Sequence, residues 1–155
     1  MTRMLMALAC AALTSSCATA APPAPSPADF AGNWSYAEQC GWQHMANLHL
    51  SEADGRIHGT WNDGDGRRGR GQAGQLEGRI NGSRLEARFC TEAPDGQDDE
   101  CPAFGEWSDV FMLQDGALQW HRGWGDGEHR LYITLERAEW MPPADLKARC
   151  PEDFD

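Results

Sequence analysis

The chain is short of the residues that most enzymes are built on. It has no Gly-x-Ser-x-Gly elbow, no phosphate-binding loop and no nucleophile–base spacing, and serine is sparse beyond residue 20. These absences argue against catalysis and leave no cofactor to expect. No Cys-x-x-Cys pair occurs, which argues against a zinc site. Basic residues are few, 13 against 24 acidic ones, for a formal net charge of −11. Nucleic acid and anionic lipid would repel so acidic a chain, whereas cationic partners would not be repelled. Helical periodicity is missing before residue 140, and no apolar run is long enough to cross a bilayer as a helix.

The first twenty residues have the layout of a secretory leader. Arg3 supplies the charge, Met4 to Leu13 the apolar run, and Ala18-Thr19-Ala20 the small-x-small cleavage pattern. Residues 1–20 are therefore a signal peptide, and the mature protein is expected in the periplasm or outside the cell. A second processing route is open. Leu13-Thr14-Ser15-Ser16 before Cys17 resembles a bacterial lipobox, with Thr14 where leucine is usual. Lipidation at Cys17 would make an outer-membrane lipoprotein, its lipid anchor the one expected membrane contact. Residues 21–29 are Ala/Pro-rich and read as an extended linker. Four cysteines lie beyond the leader, Cys40, Cys90, Cys101 and Cys150. In an exported chain they imply two disulfides with three connectivities. Loop geometry favours Cys90–Cys101, which leaves Cys40–Cys150.

Residues 30–137 read as one all-β domain. Short alternating runs predict eight strands near 30–37, 45–52, 56–62, 74–80, 85–91, 107–114, 117–123 and 128–136. Asp115-Gly116 is a two-residue turn pair. Folding about it sets Leu113 against Leu118, Phe111 against Trp120, Asp109 against Arg122 and Trp107 against Trp124, all on one face. Asp54-Gly55 similarly sets Leu50 against Gly59 and Leu48 against Trp61. Around Asn81-Gly82 the longer loop is preferred, because it places Arg79 against Glu86 and Glu77 against Arg88 rather than like charges together.

Tight turns thus alternate with the longer connections 38–44, 63–73, 92–106 and 123–127. In an up-and-down antiparallel meander, all tight turns fall at one end and all long loops at the other. Closing eight strands into a barrel removes the sheet edges and leaves an interior for side chains or one small ligand. The expected inward set runs from Phe30, Gly32, Trp34 and Tyr36 to Leu131, Ile133 and Leu135. A short helix over Ala144–Arg149, within a tail 138–155, is expected to dock on the outside through Cys150.

The run Phe30-Ala31-Gly32-Asn33-Trp34 carries a G-x-W that resembles the first motif of the lipocalins and the wider calycin group, including avidin-like and bacterial inhibitor barrels. In that group a basic residue near the end of the last strand packs across the motif tryptophan. The resemblance therefore implies a structural pair, Arg137 on Trp34. It covers only the two ends of the barrel. The same G-x-W recurs at Gly59-Thr60-Trp61 and Gly105-Glu106-Trp107.

At the open end the expected ligand-binding positions are Tyr36, Trp61, Phe89, Trp107, Asp109, Arg122 and Trp124. Aromatic walls with few polar groups describe a small-molecule site, and Arg122 could take a carboxylate or phosphate in a fork, held by Asp109. The alternative is a solid core with one internal ion pair. The loop Asn62-Asp63-Gly64-Asp65-Gly66 is like part of a calcium loop but lacks the distal glutamate, and Arg67, Arg68 and Arg70 oppose a cation. It reads as an ordinary loop, and no metal is expected. The acidic run Asp95–Glu100 reads as a solvated loop or as a contact for a basic protein. Three functions follow: non-catalytic binding of a small apolar or amphiphilic ligand, inhibition of a basic extracytoplasmic protease or lysozyme through the loops, or a structural envelope component tethered at Cys17.

Overall fold

The computed structural model describes residues 23–38, 40, 44–65, 70–92 and 100–137. It contains one helical turn, α1 (Pro27–Phe30), and eight strands: β1 (Gly32–Ala37), β2 (His44–Ala53), β3 (Arg56–Asp65), β4 (Arg70–Asn81), β5 (Arg84–Thr91), β6 (Asp109–Gln114), β7 (Ala117–Gly123) and β8 (His129–Leu135). Each strand pairs antiparallel with its neighbour in sequence. The barrel is nearly closed, its two edge strands meeting at one bridge. Ser35 and Glu136 exchange two backbone hydrogen bonds, the Ser35 N–H donating at 2.9 Å and the Glu136 N–H at 2.8 Å.

The turns set the register. Asp54-Gly55 and Asp115-Gly116 both hold positive φ, 53° and 74° in the first and 52° and 84° in the second. This is the backbone that a two-residue hairpin turn demands. Leu113 then meets Leu118, Phe111 meets Trp120 and Asp109 meets Arg122. Between β4 and β5 the charge-matched register holds. Arg79 Nε donates to Glu86 at 2.8 Å, and Arg88 Nη2 donates to Glu77 at 2.6 Å.

The closed end is built on Trp34. α1 folds under it, with Pro27 in its first turn and Asp29 accepting from the Ser26 N–H and hydroxyl at 2.7 and 2.8 Å. Those two bonds hold the Asp29 carboxyl below the usual carboxylate range. Phe30, expected at the start of a strand, is instead the last residue of this turn, buried in the core. Its carbonyl accepts from Trp34 Nε1 at 2.8 Å. The Arg137 guanidinium lies 4.2 Å from the Trp34 ring centre, and its two Nη groups donate to the carbonyls of Ala31 and Asp29 at 2.8 and 2.7 Å. Arg137→Ala should therefore cost about 1–3 kcal/mol, from one cation–π contact and two charged hydrogen bonds at an exposed site. Urea unfolding checks this. Arg137→Lys should recover less than half, since an ammonium cannot bridge both carbonyls, and a loss within error for Arg137→Ala would show the contact to be idle.

The core fills the middle of the barrel. Trp61, Phe89, Phe111 and Trp120 interlock with ring centres 5.1 to 6.5 Å apart. Above them the strands depart from the sequence expectation in three places. First, β3 and β4 continue pairing to Asp65 and Arg70, so residues 63–65 and 70–73 of the expected loop 63–73 are strand. Second, β6 pairs with β5 only from Asp109 onward. The segment before it runs along β5 instead, joined by the Cys90–Cys101 disulfide and by N–H donation from Cys101 to Thr91, Gly105 to Phe89 and Ser108 to Ala87. Trp107 is thereby carried off the interior face. Third, a bulge between Trp120 and His121 shifts the register of β8. Leu131, expected inside, is 53% exposed, and Tyr132 packs against the core in its place.

Cys40 is disulfide-bonded, and Cys150, its expected partner, lies outside the described residues. So do the leader with Cys17, residues 95–99 of the acidic run, and the tail 138–155 with its expected helix. No helix among the described residues is long and apolar enough to cross a membrane.

Candidate functional site

Alternation along β3 carries the inward phase from Trp61 to Asp63, and along β2 from Leu48 and Ala46 to His44. Both polar residues therefore face the interior at the loop-bearing end. Arg122 of β7 and Tyr132 of β8 reach them from the far side. Asp63 Oδ1 lies 2.6 Å from His44 Nε2, and Asp63 Oδ2 accepts from Arg122 Nη2 at 2.7 Å and from the Tyr132 hydroxyl at 2.9 Å. The same hydroxyl lies 3.1 Å from His44 Nε2. Arg122 Nε stands 3.8 Å from Asp109 Oδ2, which accepts from Trp120 Nε1 at 2.6 Å. The Arg122 guanidinium also lies 3.9 Å from the Tyr132 ring centre and 4.7 Å from that of Trp120.

This is a clamp of charge-assisted hydrogen bonds tying β2 and β3 to β6, β7 and β8. Each acid is already engaged, and Arg122 spends its charge on two carboxylates. The arrangement holds the mouth together. Burial, then the neighbouring Asp63 charge, pushes the Tyr132 phenol from 10.0 up to about 12. It stays a donor through the neutral range. Because its folded value is the higher one, its contribution is complete below pH 10 and is lost as pH rises from about 10 through about 12.

Of the expected ligand-binding residues, the structure gathers Asp109 and Arg122 in this clamp. Tyr36 lies beside it, its ring centre 5.2 Å from that of His44. Trp61 and Phe89 are core residues one layer below, and Trp61 Nε1 donates to the Cys90 carbonyl at 3.1 Å. Trp107 and Trp124 are corrections. Trp107 lies outside the wall under two guanidiniums, 4.3 Å from Arg79 and 4.9 Å from Arg88. Trp124 follows the last residue of β7 and is 62% exposed. Asp63, His44 and Tyr132 were not expected at the site. The strand parity through Trp61 and Leu48 was a signal for the first two, whereas the bulge that turns Tyr132 inward left no local trace.

By the same alternation Met45, Asn62, Gly64, Gly71 and Ala73 fall on the outer face of the wall at this end, and there they line an open groove of about 430 Å³. It arises where the extended β3–β4 hairpin carries Gly64 opposite Gly71, next to Met45 of β2. Two glycines facing each other leave that row of the sheet bare. The pairing tolerates little else, since a Cβ on Gly64 would stand 2.8 Å from Gly71 Cα and 2.9 Å from the Arg70 carbonyl oxygen. Asn62, Arg70, Ala73 and Glu92 are among the other residues that line it. Among the described residues, no group of three or more His, Cys, Asp or Glu side chains is placed to hold a metal ion.

Compared with known protein families, with curated proteins and with solved structures, the chain matches none.

Proposed function

We propose that this chain is an exported, non-catalytic binding protein that holds a small, partly apolar ligand at the open end of its barrel. The observation that carries the reading is the groove of about 430 Å³ at that end. Its size falls within the range of small-molecule sites, about 300–1,000 Å³. Met45 and Ala73 supply apolar contact, and Arg70 and Glu92 supply polar ends. This seat lies on the outer face of β2, β3 and β4 at the loop-bearing end, outside the aromatic interior read from the sequence, whose rings pack on one another.

One observation favours inhibition of a basic protease or lysozyme as a second reading. The segment from Cys101 to Ser108 is stapled to β5, and residues 92–108 hold six acidic residues and no basic one. An acidic segment anchored at Cys101 would suit a basic partner.

Titration of the oxidised protein with anilinonaphthalenesulfonate, with dodecanoate as competitor, separates the two. Saturable one-to-one binding, weakened at least about tenfold by Gly71→Val, supports the groove, since the new side chain fills it. Binding unchanged by Gly71→Val, in a variant that still unfolds cooperatively, overturns the groove as the seat. Absence of saturable binding, together with dose-dependent inhibition of a lysozyme or protease, favours the second reading.

A further inference from the structure

The outer wall of the barrel holds a second, separate feature. Across the row from Ile57 to Gly78, side chains alternate between faces. Ile57 and Gly78 face the core, so Arg56, His58, Glu77 and Arg79 share the outer face. Trp107, carried out of the interior by the stapled segment, lies over this face. Arg56, His58, Glu77, Arg79 and Trp107 enclose a slot of about 80 Å³, with the Gly78 backbone in its lining.

The charge pattern in the slot is unusual for so acidic a chain. Arg56 and Arg79 are on adjacent strands at neighbouring register positions, and like charges placed so are unfavourable unless compensated. Compensation is uneven. Arg79 Nε is held by Glu86, and its guanidinium is stacked on Trp107 at 4.3 Å, so its Nη groups remain for another partner. Glu77 is the one acid in the lining, and Arg88 takes it with Nε and Nη2 at 3.0 and 2.6 Å. Arg56 has no ion-pair partner among the described residues, and His58 has no side-chain hydrogen bond among them. Trp107 and Glu86 therefore fix one guanidinium, Arg88 offsets the Glu77 charge, and an arginine without an ion-pair partner among the described residues and an imidazole close the other side.

We propose that this slot binds a small oxyanion, phosphate or carboxylate, through Arg56, His58 and the Nη groups of Arg79, with the Trp107 ring as its wall. Guanidinium forks match both groups in geometry. The slot is too small for a drug-sized ligand and suits a headgroup or a free ion. It lies on the outer face of β3 and β4 near their tight-turn ends, apart from the groove at the open end, so it stands or falls independently of that reading.

The test is a pair of titrations of the oxidised, isotopically labelled chain, one with sodium phosphate and one with sodium acetate. Ionic strength is held constant with chloride, and the Trp107 indole N–H resonance is followed. The expected result is a saturable shift of that resonance, with the Trp124 indole unmoved. Arg56→Gln, at an exposed position outside the core, should weaken the affinity about tenfold, and the double variant Arg56→Gln/His58→Gln should abolish saturation. Phosphate bound more tightly than acetate identifies a phosphoryl ligand, and the reverse order identifies a carboxylate. A shift that stays linear in both titrations, or a saturable shift identical in Arg56→Gln, overturns the proposal. Thermal unfolding of each variant in chloride distinguishes lost binding from lost fold.

Discussion

Trp120→Ala should unfold this barrel more readily than any other single truncation, with an expected loss of about 3–5 kcal/mol. The residue is 1% exposed and touches Trp61, Phe89, Phe111 and Tyr132 through ring contacts with centres 5.4 to 6.4 Å apart. Strands on opposite sides of the barrel, β3 and β7, therefore meet on its ring, so neighbours cannot collapse into the vacancy without breaking pairings. It also donates to Asp109, a carboxylate buried with it. Trp120→Phe separates the two effects. Phenylalanine keeps most of the ring packing but leaves Asp109 one donor short, so a loss of about 1–3 kcal/mol is expected from that alone. Urea unfolding with constant slope provides the measurement. A loss under about 2 kcal/mol for Trp120→Ala would mean that the interior repacks freely, contrary to the interlocked packing of its rings.

Removal of Asp63 should rank second. Asp63→Ala leaves Arg122, His44 and Tyr132 facing one another without their shared acceptor; breaking a fully buried charged cluster from one side costs about 3–5 kcal/mol, and this one is partly buried. The lower end is expected here, because Arg122 keeps solvent access and its contact with Asp109. Asp63→Asn keeps the shape and one acceptor and should cost about half as much. A double-mutant cycle with Arg122→Ala isolates the pair, and a coupling above about 1 kcal/mol is expected. Because the Asp63 side chain is only 10% exposed, that coupling should largely persist in 1 M salt, where an exposed pair would be screened. Coupling that vanishes in salt would show the mouth to be open to water in solution.

Much of the barrel is legible in the order of its residues. The turn pairs Asp54-Gly55 and Asp115-Gly116 specify both position and register, because few residues accept the backbone they require. The cross-strand charges Arg79–Glu86 and Glu77–Arg88 discriminate between two loop lengths that the glycine alone would allow. The staple Cys90–Cys101 follows from the short separation of its cysteines. What the local pattern hides is whatever depends on distant strands. Asn62-Asp63-Gly64-Asp65 has the composition of a loop, yet β2 pairs with it on one side and β4 on the other, and that double pairing outweighs propensity. A bulge is one extra residue, and one extra residue exchanges the inward and outward sets. Leu131 and Tyr132 trade places on that account. Trp107 keeps the right parity but has no strand to obey it, because the stapled segment replaces the beginning of β6.

The narrow join between β1 and β8 bears on how the molecule comes together in time. Every other pairing links neighbours in sequence, so each hairpin can form as soon as its second strand exists. β1 alone must wait for the last strand, nearly a hundred residues later, with the edge that Ser35 presents to Glu136 unsatisfied meanwhile. A half-made chain is therefore a sheet with a bare border, open to a second half-made chain at the same border. Arg137, by grasping the carbonyls on either side of Phe30, completes the ring and closes that window.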